Sequence, residues 1–287
     1  MNKLINAFFI MLRGFLMGLA DIIPGVSGGT IALITGIYDK LVFSISEINL
    51  NFILDFVRKD TRNMKKNLRR IDLWFFIPLG IGIGTAFLVF SGMIGYMLDS
   101  HTAITYSFFF GLILASSFFV YRKIKELSIL TIVSSIVGFL FAFVLIGIGV
   151  IGMMGHSLFI IFLSGVIAIC AMILPGISGA FLLLFLGQYK YLLNALHNIE
   201  ITKIITFLIG AGIGILMFSR ILNYLLRKYR APTMAFLTGL MLGSLRLPFK
   251  EIVGASGSSV FISIAGLIGF LIVIVLENSF NKRKKNK

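Results

Sequence analysis

The chain is poor in the residues that carry chemistry and in those that staple a fold. One cysteine, Cys170, excludes an intramolecular disulfide and a cysteine-based structural metal centre. The three histidines, His101, His156 and His197, are scattered without metal-ligand spacing. Only 11 residues are acidic, and within the apolar segments no two stand close enough to act as a carboxylate pair. No metal site, cofactor pattern or catalytic constellation is therefore expected, and an intramembrane enzyme such as a lipid phosphatase finds no nucleophile at depth. Charge of either sign is scarce at 13%, against 58% hydrophobic residues. With a mean hydropathy of +1.03 over 287 residues, the chain is a multi-pass membrane protein.

The net charge of +15 does not point to nucleic acid. The cations cluster between apolar runs, where they set topology and meet anionic lipid headgroups. The segment from Met1 to Gly25 has a signal-peptide outline behind Lys3. Arg13 interrupts it and no small-residue cleavage pattern follows, so it is read as part of the fold.

What the chain does have is a motif written twice. Pro24-Gly25-Val26-Ser27-Gly28-Gly29 returns as Pro175-Gly176-Ile177-Ser178-Gly179-Ala180, and Leu33, Gly36 and Tyr38 return in step as Leu184, Gly187 and Tyr189. The duplication extends further. Gly80, Gly82 and Gly84 are matched to Gly210, Gly212 and Gly214, and Tyr96, Thr105, Phe108, Gly111 and Gly138 to Tyr224, Thr233, Phe236, Gly239 and Gly266. Each half contains the motif followed by three apolar runs of membrane-crossing length, 71–98, 103–121 and 128–151 in the first, 201–226, 231–247 and 258–278 in the second.

The motif segments are too short for two crossings. Arg13 and Asp39 bracket the first, and His156 and Lys190 the second, whereas two spans need about 40 residues. Both read as re-entrant helical hairpins, 13–40 and 157–190, broken at Pro-Gly and tolerated at depth because they are buried in protein or line a wet cavity. A kinked helix pair crossing fully is the rival. Three crossings per half is an odd number, so the halves have opposite orientations. The expected fold is all-α, with two inverted-topology repeats over 1–151 and 152–281 and a basic tail over 282–287. Placing the 45–70 loop inside puts Arg58, Lys59, Arg62, Lys65, Lys66, Arg69 and Arg70 in the cytoplasm together with Arg122, Lys123, Lys125, Arg227, Lys228, Arg230 and both termini. Only Lys190, Lys203, Arg246 and Lys250 fall outside. Phe52, Ile53, Phe56 and Val57 in that loop fit an amphipathic surface helix or a solvated linker.

Inverted repeats with broken helices point to a transporter whose site lies between the repeats. The returning helices begin at Ser27 and Ser178, N-cap residues by type, and their exposed N-H groups and dipoles favour an anion. The alternative is close packing around a kink. Candidate contacts are Gly25, Ser27, Gly28, Gly29 and Thr30 in the first copy and Gly176, Ser178 and Gly179 in the second. Arg13 reads equally as an anion clamp or a snorkelling cation, and Arg220 leaves the same choice. Asp21 reads as a proton carrier, as an acceptor orienting the loop, or as a partner for Arg13. An ionisable group at depth costs about 2.5–3.5 kcal/mol on insertion scales. The glycine triplets fall inside apolar spans with no strand before them, which suits helix packing and not nucleotide binding.

The run Gly14-x3-Gly18-x-Ala20-Asp21-x2-Pro24-Gly25-Val26-Ser27-Gly28-Gly29-Thr30, with Gly36-x-Tyr38 after it, resembles the bacterial polyprenyl-phosphate transporters of the PopT type. The resemblance covers essentially the whole chain. It implies a plasma-membrane flippase, not an enzyme, that returns undecaprenyl phosphate from the outer to the inner leaflet for cell-envelope synthesis. The family motif falls on Asp21, Pro24, Gly25, Ser27, Gly28, Gly29 and Thr30. The second copy departs from it at Ala180 and Phe181. A carrier or channel for a small inorganic anion is the other reading the residues allow.

Overall fold

The computed structural model describes residues 3–22, 26–48, 71–122, 124, 126, 128–148, 155–255 and 258–285. Among them the secondary structure is helical, with no strand. The first half holds α1 (Lys3–Asp21), α2 (Gly28–Ile34), α3 (Tyr38–Ser46), α4 (Leu73–Ser100), α5 (Thr102–Arg122) and α6 (Ile129–Ile148). The second holds α7 (Leu158–Ile173), α8 (Gly179–Phe185), α9 (Tyr189–His197), α10 (Ile201–Lys228), α11 (Arg230–Ser244), α12 (Arg246–Gly254) and α13 (Ser259–Lys285). Of the described helices, α1, α4, α5, α6 and α10 are long and apolar enough to cross a membrane, while α7 and the Ser259–Val275 part of α13 are shorter apolar helices.

Around the tips the duplication survives folding. The helices after each tip, α2 and α8, have seven residues each, and α3 and α9 nine, at matching positions in the two copies. Gly36 (φ 73°) and Gly187 (φ 70°) end the short helices. In each, the next residue's N-H reaches back five positions, Ile37 to the Ala32 carbonyl at 2.9 Å and Gln188 to the Leu183 carbonyl at 2.8 Å. This is the glycine-terminated helix end that satisfies the orphan carbonyls. The chain then turns so sharply that α2 and α3 lie at 118° to each other.

Glycines set the helix crossings. On α1 and α4, a Cβ at Gly14 would meet the Leu79 carbonyl oxygen at 2.2 Å, and one at Gly82 the Met11 carbonyl oxygen at 2.0 Å. On α7 and α10, Gly165 sits 2.3 Å from the Phe207 oxygen and Gly210 2.1 Å from that of Phe162, by the same measure. The other two crossings join the halves. A Cβ added to Gly111 of α5 would run into the Gly266 carbonyl of α13, and one added to Gly239 of α11 into the Ser135 carbonyl of α6. Backbones this close allow helices to pack by dispersion where lipid gives no hydrophobic drive. The contacts also correct the expected register. Gly82 plays the part of Gly210, and Ala86, beside Gly18, that of Gly214, so Gly80 and Gly84 face open space and the whole helix follows the offset of Tyr96 to Tyr224.

Three polar contacts collect one end of the molecule around α3. Lys40 pairs with Asp72, the N-cap of α4, at 3.0 Å, and Asp39 with Arg230 at the start of α11 at 2.7 Å. Asn223 of α10 donates to Ser46 at 3.0 Å. The first turn of α4 and the last turns of its counterpart α10 therefore lie at the same end. Trp74 and Tyr96, near opposite ends of α4, are both exposed.

Two further sequence expectations change. The first arm of the motif hairpin does not begin at Arg13, because α1 runs from Lys3 for 19 residues, about 28 Å. That length nearly equals the hydrocarbon thickness of about 30 Å. The span expected over 231–247 breaks at Leu245 into α11 and α12, since Pro248 has no N-H to give the Ser244 carbonyl. The proposed amphipathic segment with Phe52, Ile53, Phe56 and Val57 lies outside the described residues.

Candidate functional site

The two motif tips touch. Ser27 donates its hydroxyl hydrogen to the Leu174 carbonyl at 2.9 Å, and the Gly176 N-H donates to Thr30 Oγ1 at 3.0 Å. Gly29 lies so close to Ile173 that a Cβ would stand 2.7 Å from its carbonyl oxygen. Ser27 and Thr30 are fully buried at this contact. Gly176 takes a φ of 88°, which only glycine adopts cheaply, and its Cα faces the backbone of Met241.

The N-H groups opening α2 are spoken for within the chain. Gly28 N-H donates to Asp21 Oδ1 at 2.6 Å, Gly29 N-H to Ser27 Oγ at 3.1 Å and Thr30 N-H to the Ser27 carbonyl at 3.0 Å. The Asp21 carboxylate thus stands at the start of α2 and accepts from its first N-H. The second copy differs in kind. Met172 stands where Asp21 would be, Ser178 makes no side-chain cap, and of α8 only Gly179 is buried whereas all of α2 is. Beside this second tip lies a crevice of about 10 Å³ between Ile177, Ser178, Phe181 and Leu145, room for about one water. The paired tips are closed on each other.

The remaining candidates fall apart in space. Arg13 is half-buried on α1, eight residues and about 12 Å of helix from Asp21. Gly25 lies outside the described residues. Arg220 is exposed, and its hydrogen bond goes to the Ile48 carbonyl at 3.0 Å, beyond the end of α3, with none to either tip. That geometry fits a helix-end clamp. Sequence reasoning missed Tyr38, whose hydroxyl is buried without a hydrogen-bond partner among the described residues. Its recurrence as Tyr189 within the motif was the available signal. No group of three or more His, Cys, Asp or Glu side chains able to hold a metal occurs among the described residues.

Comparison with known proteins gives a consistent picture. A family described as undecaprenyl phosphate translocase-like matches residues 17–274, a stretch that contains both tips. A protein of Vibrio cholerae named polyprenyl-phosphate transporter is 42% identical over 254 residues, 87% of this chain and 80% of that one. One of the same name from Staphylococcus aureus is 32% identical, covering 93% of this chain and 94% of its own. No solved structure matches.

Proposed function

The chain belongs to the undecaprenyl phosphate translocase-like family, and from that premise we propose that it transports polyprenyl phosphate across a bacterial plasma membrane as a flippase. What carries the reading is the reach of the similarity, which takes in both tips and nearly all spans, to proteins named for that cargo. In this reading the phosphate passes between the tips while the prenyl chain stays in lipid, and the lipid returns from the outer to the inner leaflet. The repeats are inverted and both termini are cytoplasmic. Support for inversion comes from α4 and α10, counterparts whose opposite ends meet through Lys40, Asp72, Asp39 and Arg230. Support for the orientation comes from the loop cations.

The headgroup site comprises Ser27, Gly28, Gly29 and Thr30 with Gly176, Ser178 and Gly179, together with Gly25 of the same motif, while Arg13 acts from farther along α1. Because the chain's own acceptors hold the α2 donors, phosphate binding is an exchange. The tips part, the phosphate oxygens take N-H groups released by Asp21 and Thr30, and the side chains reclaim them on release. A phosphate monoester carries one to two negative charges near neutrality. Moving each inward costs about 2.3 kcal/mol per 100 mV. Protonation of Asp21 removes the competing anion and supplies a compensating charge, which makes proton coupling part of the proposal.

The test is leaflet-resolved movement of polyprenyl phosphate in vesicles containing the purified chain. Transport by wild type is expected, with large losses in Ser27→Ala and Arg13→Ala. A wild-type protein that moves no lipid overturns the reading, and a rate indifferent to both pH gradient and voltage removes the coupling.

A further inference from the structure

Away from the tips, two hollows line up on three helices. At the end of the molecule where α10 turns into α11 there is a cleft of about 550 Å³, lined by Arg227, Lys228 and Arg230 on one side and by Glu126 and Thr131 on the other. Further into the apolar body lies a groove of about 460 Å³ whose walls include Leu114, Phe118, Leu242 and Phe270, with Ser135 and Thr238 between them. Thr131 and Ser135 of α6, and Met234 and Thr238 of α11, are each one helical turn apart on the same face, one residue in the cleft and the next in the groove. Tyr121 in the last turn of α5 lines the groove, and Ile124, two residues past the end of that helix, lines the cleft. Arg122 lies over the Phe118 ring at 5.7 Å, which sets another cation at the junction. Both hollows fall within the volumes that hold ligands.

We infer that cleft and groove form one docking site for polyprenyl monophosphate, with the phosphate on the cations and the prenyl chain in the groove, where the lipid loads or leaves before or after it passes the tips. The inference rests on the transport reading. Charge complementarity supports it. Arg230 is matched by Asp39, but among the described residues neither Arg227 nor Lys228 meets a carboxylate. Arg227 lies over the Phe43 ring at 4.9 Å, and Lys228 donates to the Tyr224 hydroxyl at 3.0 Å, contacts that position a cation without neutralising it. The duplication supplies an internal comparison. At the matching positions of the first half, Arg227, Lys228 and Arg230 are replaced by Asp99, Ser100 and Thr102. A requirement of the turn itself would be duplicated, as Thr105 and Thr233 are, each bonding back to the carbonyl eight residues earlier at 3.1 and 3.2 Å. The cations are not duplicated, so they serve one face of the membrane only.

A polyprenyl monophosphate with a photoreactive group on its chain, added to the full protein in phosphatidylcholine nanodiscs, tests this. Labelling of peptides from the α5, α6 and α11 groove is expected. It should fall about tenfold in the Arg227→Gln, Lys228→Gln double variant, persist in Arg227→Lys, which keeps the charge that sets topology, and fall in Ser135→Trp, which fills the groove. Labelling elsewhere, or undiminished in the double variant, overturns the inference, and so does displacement by an equal amount of phosphatidylglycerol, which would make the site one for bulk anionic lipid. Vesicle transport separates the two readings. A labelled groove with no wild-type transport sinks the transport reading alone, whereas transport with an unlabelled groove sinks the dock alone.

Discussion

Thr30 and Asp21 show how much of the tip depends on single acceptors. Thr30→Val keeps the shape but leaves the Gly176 N-H buried and unpaired, a loss of about 1–3 kcal/mol. Unfolding of the purified protein in detergent should show a lower midpoint, restored in Thr30→Ser. Asp21→Asn retains a carbonyl for the Gly28 N-H, so stability should change by less than about 1 kcal/mol. Under the coupling proposal the same variant loses the pH dependence of transport, and a pH profile matching wild type would remove Asp21 from it. Tyr38→Phe deletes a hydroxyl that satisfies no bond, so its stability should be equal or higher. A transport defect at undiminished stability would place that hydroxyl in the headgroup path. The positions of these residues were legible as a motif. Their bonding was not, because a Ser, an Asp and a run of glycines read the same whether the N-H groups are held by the chain or left for a ligand.

Helix packing distinguishes glycines that look alike in sequence. Gly82→Ala drives a Cβ into the α1 backbone, whereas Gly80→Ala and Gly84→Ala meet nothing within 4 Å. Detergent unfolding should therefore fall by several degrees for Gly82→Ala and stay level or rise for the other two, since alanine is the better helix former by about 1 kcal/mol. The triplet misleads by sequence because Gly-x-Gly-x-Gly shifted by two still overlaps itself, and only the neighbouring carbonyls fix the register. The short helices were legible at their starts, Ser27 and Ser178, but not at their ends, which the expected hairpins ran past. Gly36 and Gly187 demand a left-handed residue, so each ends its helix at a definite position. Arg13 misplaced the start of α1, since a charge in an apolar run reads as an interface although a long side chain can sit partway along a helix and snorkel.

In the whole molecule, the repeat could be read from the chain and four of the six expected spans are long apolar helices, but α1 was not foreseen as one and the partners of the helices could not be read. Apolar spans advertise a membrane, not which span they touch. The structure joins α1 to α4 and α7 to α10 within the halves, yet α5 to α13 and α6 to α11 between them. Rocking that exposes the tips to alternate leaflets would thus move helix pairs and not sequence halves. A bulky residue at the cross-half contact tests it: Gly111→Leu should weaken the association of the halves and the protein's stability together, measured by co-purification of separately encoded 1–151 and 152–287 segments. Retained association would mean that the other crossing suffices. The exchanged pairing also has a bearing on biosynthesis. When α5 emerges from the ribosome its glycine face has no mate, and α6 likewise awaits α11. The first half must therefore pass through the insertion machinery with two unfinished surfaces, held until the second half arrives, which makes completion of the chain a checkpoint on its folding.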